Sequence, residues 1–196
     1  MKILIVLFFS FMAAQGQAFT LVDTAPSMKG WDTKNLIFHL NPANCRSDIR
    51  DVIKDAMSLW NSVAFTNLIL ELGPDTSATP AQAAAFNFSE DAVIVCDTAF
   101  TTTTPGLSAD TIPGYANYTL GNRNQLVKGF LMLNAQSGGL ANLSVISGIA
   151  AKVVVAHEMG HVLGLGHSSL SAALMYYNGS YKTDLSLAED DENGIG

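Results

Sequence analysis

Eleven consecutive residues constrain this chain more tightly than any other feature: His157-Glu158-Met159-Gly160-His161-Val162-Leu163-Gly164-Leu165-Gly166-His167. Residues four apart lie one above the other on one face of a helix, so His157 and His161 present two imidazoles to a single point. That spacing suits one Zn²⁺, which accepts imidazole nitrogen at about 2.0–2.1 Å. Three more helical residues would carry His167 past the ion. The helix must stop first, and Gly164, free to enter the left-handed region, is where it can stop. Three neutral imidazoles leave a fourth position open, as catalytic zinc sites do. Glu158, next to the first ligand, is then placed to act as general base toward a water in that position. The chain has 4 histidines, and three of them stand in this window, which a helix with two chance histidines does not explain. The fourth, His39, lies between Phe38 and Leu40 and reads as a packed or surface histidine rather than a ligand.

The rest of the chain bounds where such a site sits. Lys2, an apolar run over residues 3–14 and the small-residue pattern Gly16-Gln17-Ala18 read as a signal peptide over 1–18, with cleavage before Phe19. The run is shorter than the ~20 apolar residues of a spanning helix, so a membrane anchor is not expected. An exported chain with Cys45 and Cys96 is expected to pair them in a disulfide, the alternative being a free thiol that caps the metal. A net charge of −7 argues against binding to phosphate backbones, so no nucleic-acid partner is expected. At 196 residues the chain suits one domain and should be a monomer.

Residues 19–30 read as an extended N-terminal arm. Strands are expected at 35–40, 68–72, 92–96 and 130–133. An amphipathic helix capped by Ser47 places Ile49, Val52, Ile53, Ala56, Leu59, Trp60 and Val63 on one face. A second helix starts near Asn142 or Ser144 and runs to Gly164. Residues 74–85 and 98–128 read as loops, the latter with room for one short strand. Coarse alternation of strand and helix fits an α/β sandwich with a mixed sheet.

The eleven-residue window resembles the metzincin signature, and its flanks resemble the matrixins within that clan. Ser168 follows the third histidine, as in matrixins, and Ala173-Leu174-Met175-Tyr176 is similar to their Met-turn, with Met175 beneath the zinc. Asp190-Asp191-Glu192-Asn193-Gly194-Ile195 resembles the start of their C-terminal helix. The likeness spans about residues 30–196.

This resemblance implies an α/β (α+β) metzincin-like zincin domain over residues 31–196, with a mixed twisted sheet, two long helices and a short C-terminal helix. It implies a secreted zinc endopeptidase. One catalytic Zn²⁺ is held by His157, His161 and His167, and Glu158 assists attack of a zinc-bound water on the peptide bond. Protein or peptide substrates bind extended, antiparallel to a strand at Phe130–Gln136 on the edge of the cleft. By the same resemblance, an amine freed at Phe19 pairs with Asp190-Asp191. Residues 19–30 are too few for the family's propeptide. A second, structural zinc is not expected, since His39 is the one histidine left over. Structural calcium stays open, because the Thr/Gly/Asn-rich loops do not match the family's calcium loops. A secreted zinc protein that binds a partner in this cleft without cutting it is the competing reading, and the intact Glu158 argues against it.

Overall fold

The structure, a computed structural model, describes residues 28–64, 66–178 and 182–195. The expected signal peptide and Phe19 lie outside these residues. A six-stranded sheet is built from β1 (Lys29–Trp31), β2 (Asn35–Leu40), β3 (Ile69–Leu72), β4 (Ala92–Asp97), β5 (Gly114–Leu120) and β6 (Gln125–Asn134). Its main order is β3-β2-β4-β6-β5. All pairings are parallel except β5 with β6. The helices are α1 (Ile49–Asn61), α2 (Pro80–Ala84), α3 (Phe100–Thr103), α4 (Gly148–Val162) and α5 (Glu189–Ile195). This is the expected mixed α/β class, with two long helices and a short C-terminal one.

The sheet is covered on both faces, which is why β4 is buried along its whole length. Successive side chains of a strand point to opposite faces. Ala92, Ile94 and Cys96 of β4, with Leu131 and Leu133 of β6, therefore meet the main core under α1 and α4. Val93, Val95, Phe130 and Met132 point the other way, into a smaller core with Ala83, Phe88 and Phe100. The apolar face of α1 contributes Ile49, Val52, Ile53, Ala56, Met57 and Trp60, and the Trp60 Nε1–H donates to the Ala156 carbonyl at 2.9 Å. That bond sets α1 against the middle of α4. The Cys45–Cys96 disulfide ties the approach to α1 to the central strand, which removes the free-thiol alternative.

Several local expectations are corrected. The end of the expected arm forms β1, which pairs with β6 at Gln125 and Leu126. Asp48, not Ser47, is the N-cap of α1, and it makes no side-chain cap because its carboxylate is taken by the Arg46 guanidinium. Residues 74–85 are not all loop, since Thr79-Pro80-Ala81-Gln82 forms a capping box that starts α2. The Asn142 side chain accepts from Ser144 N–H and donates to the Gln136 carbonyl, holding a turn where helix was expected. α4 begins only after Ser147, whose hydroxyl accepts from Ala150 N–H. β5, seven residues long, lies within the expected loop, and β6 starts at Gln125 rather than Phe130.

Candidate metal centre

The centre is built at the end of α4. His157 and His161 stand one turn apart on this helix, which ends at Val162. Gly164 follows at φ +99°, the left-handed turn that the spacing requires. Its N–H reaches the His161 carbonyl and the Leu165 N–H reaches the Gly160 carbonyl, both at 3.0 Å, so the last carbonyls are satisfied as the chain reverses. The reversal returns His167, and the ligand nitrogens of His157, His161 and His167 all lie within 4.8 Å of one another. His39 is not among them; its Nδ1 lies 2.8 Å from the Pro74 carbonyl oxygen on β2's side of the sheet.

Two backbone carbonyls orient the rings. His157 Nδ1 lies 2.8 Å from the Leu174 oxygen, and His161 Nδ1 lies 2.8 Å from the Leu165 oxygen. A carbonyl only accepts, so both Nδ1 atoms carry the proton and both Nε2 lone pairs are left for a metal. Burial pushes His157 down to about 4, against the opposing pull of the Leu174 carbonyl. Burial, and then proximity to His157, push His161 down to about 3. His167 is also lowered by burial. All three rings are thus neutral near pH 7, the form a divalent ion needs, and this donor set fits zinc.

Glu158 points from α4 toward β5 and is almost fully buried. Desolvation pushes its carboxyl up to about 8 in the metal-free protein, opposed by a hydrogen bond from the Ala116 N–H. It borders a cavity of about 850 Å³ together with the three histidines, Gly114 to Tyr118 of β5, and an apolar wall that includes Ile112, Val153 and Val154. β5 is therefore the strand along the cleft. The expected template strand at Phe130–Gln136 is wrong, because β6 is paired on both sides, to β4 over Gly129–Asn134 and to β5 over Leu126–Leu133. Among the described residues, β5 has no strand partner beyond β6.

Met175 lies against Gly160, between the two helical histidines; a side chain at Gly160 would overlap the Met175 sulfur and press on Trp60. Met175 is buried, and its carbonyl accepts from Ser168 N–H at 2.8 Å. Asp191 holds this turn from below. Its carboxylate accepts from Leu174 N–H at 2.7 Å, Met175 N–H at 2.9 Å and Ala188 N–H at 2.8 Å. Asp190 Oδ2 is buried with no hydrogen-bond partner among the described residues, and the Phe19 amine expected beside it lies outside them. The sequence window points to the histidines and Glu158, but nothing in it signals that Gly114 and Ala116 of β5 come up against Glu158.

A family model for the matrixins matches residues 30–196. Matrilysin of Rattus norvegicus is 49% identical over 51 residues, 25% of this chain and 19% of that protein. Interstitial collagenase of Oryctolagus cuniculus is 55% identical over 42 residues, 21% of this chain and 9% of that protein. Metalloendoproteinase 1 of Glycine max is 43% identical over 60 residues, 30% of this chain and 20% of that protein. The chain thus spans no more than a fifth of the length of these relatives.

Proposed function

This chain belongs to the matrixin family, and from that premise we propose that it is a secreted zinc endopeptidase whose catalytic domain is residues 31–196. His157, His161 and His167 hold the ion. When bound, zinc supplies Lewis acidity, lowering the pKa of a coordinated water to about 7 and polarising a carbonyl oxygen. Glu158 takes the proton of the attacking water on a carboxylate oxygen and passes it to the nitrogen of the leaving amine. Ala116 N–H steadies that carboxylate. Met175 packs beneath the histidines and moves no proton. No side chain becomes covalently attached to the substrate.

The substrate is a peptide held extended along β5, whose outer backbone groups offer the hydrogen bonds of an added strand. The apolar wall at Ile112, Val153 and Val154 receives one of its side chains. The observation that carries this reading is the clustering of three imidazole nitrogens within 4.8 Å, beside a buried carboxyl, on one open cleft. The test is incubation of the zinc-loaded protein with unfolded casein or gelatin. Cleavage should stop on chelation and return with zinc. Intact substrate after prolonged incubation with the zinc-loaded protein would mean that the cleft binds without cutting.

A further inference from the structure

Gly114 opens β5 beside Glu158, and it is buried. Its φ is not positive, so backbone freedom is not what the position requires. Space is. A Cβ added at Gly114 would stand 2.8 Å from Glu158 Cγ and 3.2 Å from both Cδ and Oε1. The three nearest atoms all belong to Glu158, and the closest lies in the middle of its side chain rather than at a free end. β5 has no easy retreat. Gly114 pairs with Leu133 and Ala116 with Leu131 on β6, and the Asn134 N–H donates to the Pro113 carbonyl at 3.0 Å.

Positions 114 and 116 share one face of the strand. The strand thus meets Glu158 twice: at Gly114 by the lack of a side chain, and at Ala116 by its N–H. We infer that Gly114 is the positioning residue of the site, its bare Cα setting how close β5 comes to Glu158 and so where the carboxylate stands against the Ala116 N–H. The inference rests on the reading of Glu158 as the general base. Any side chain at 114 must push the Glu158 methylenes aside, and displacements on the order of 1 Å at a reacting group cost up to ~10²-fold in rate.

The test is a double-variant cycle on the zinc-loaded protein, read by kinetics, zinc content and melting. Gly114→Ala should keep one zinc per chain and a nearly unchanged KM while kcat falls by about 10- to 10²-fold. In the Glu158→Gln background, where the shape is kept and the base is gone, the same change should leave the residual rate unaltered. A merely structural role would lower the rate in both backgrounds. Melting gives a reading independent of activity: Gly114→Ala should lower Tm in the Glu158 parent but not in a Glu158→Ala parent, where the space is vacant. Should Gly114→Ala alone fail to fold, folding of the Gly114→Ala/Glu158→Ala double variant supports the inference, and failure of both overturns it. An unchanged kcat, or equal losses of Tm in the two parents, also overturns it and leaves the general-base reading standing. Normal cleavage by Glu158→Gln alone removes the general-base reading itself, and the catalytic part of this inference with it.

Discussion

Asp191 acts on the metal centre through two bonds in series: its carboxylate holds the Leu174 N–H, and the Leu174 carbonyl orients His157. Asp191→Ala leaves three N–H groups without their acceptor, each costing about 1–3 kcal/mol when buried. It should lower Tm sharply and weaken zinc affinity, measured by competition with a chromogenic chelator. Unaltered zinc affinity in a folded Asp191→Ala protein would show that the two bonds do not communicate. Within the site itself, His161→Ala should lose the zinc. Glu158→Gln should keep zinc and lose at least ~10²-fold in kcat, the lower end of what a general base contributes. The three histidines are legible in the sequence because metal ligation fixes residue type and offset together, and their nitrogens do lie within 4.8 Å of one another. Asp191 was visible only as part of an acidic pair, since a hydrogen bond to backbone N–H groups leaves no mark on the sequence of its partners.

At the scale of elements, the turn after α4 matters most, because it decides whether His167 returns. Any side chain put at position 164, where φ is +99°, would stand in the left-handed region at a cost of roughly 1–2 kcal/mol, and its Cβ would come within 3.1 Å of Met28. Gly164→Ala should therefore cost more free energy of zinc binding than free energy of unfolding in the chelated protein, where the turn is free to relax away from the ligand geometry. The reverse ranking would mean that the turn serves the fold rather than the site. Periodic segments were legible: β2 and α1 follow directly from alternation and from 3–4 spacing. α2 was announced by Thr79-Pro80-x-Gln82, a cap signal hidden in a Pro/Thr/Ala-rich stretch. β5 was not legible. Its Gly114-Tyr115-Ala116-Asn117 has no apolar alternation, because one face must admit Glu158 and the outer edge faces the cleft. The strand that lines the cleft thus carries a weak sequence signal, whereas β6, apolar and paired on both sides, carries a strong one.

For the whole molecule, the buried titratable groups of the centre predict a peak in the stability of the metal-free protein. His157 and His161, at about 4 and about 3 when folded, take up protons in the unfolded chain near 6.5. As pH falls below 6.5 the unfolded chain gains two protons that the folded one refuses, so stability is lost on the acid side. Glu158 works in the opposite sense. Raised to about 8 when folded, it keeps a proton that the unfolded chain releases near its ordinary value of 4.5, so its contribution is lost as pH rises toward 8. Between 4.5 and 6.5 the unfolded chain holds two of these protons and the folded chain one; between 6.5 and 8 it holds none against one. The net slope of these three groups therefore changes sign near pH 6.5, at about 1.4 kcal/mol per pH unit on each side, and His167, also lowered by burial, steepens the acid side. Asp48, held low by Arg46, and Glu90, held low by Thr76, lose their contributions only below the ordinary carboxylate range and leave this peak in place. Added zinc should erase the alkaline descent, because a cation beside Glu158 favours the carboxylate. Melting curves from pH 5 to 8, with chelator and with zinc, test this. A chelated protein whose Tm stays level or climbs from pH 6.5 to 8 would show that Glu158 is not desolvated in the folded chain.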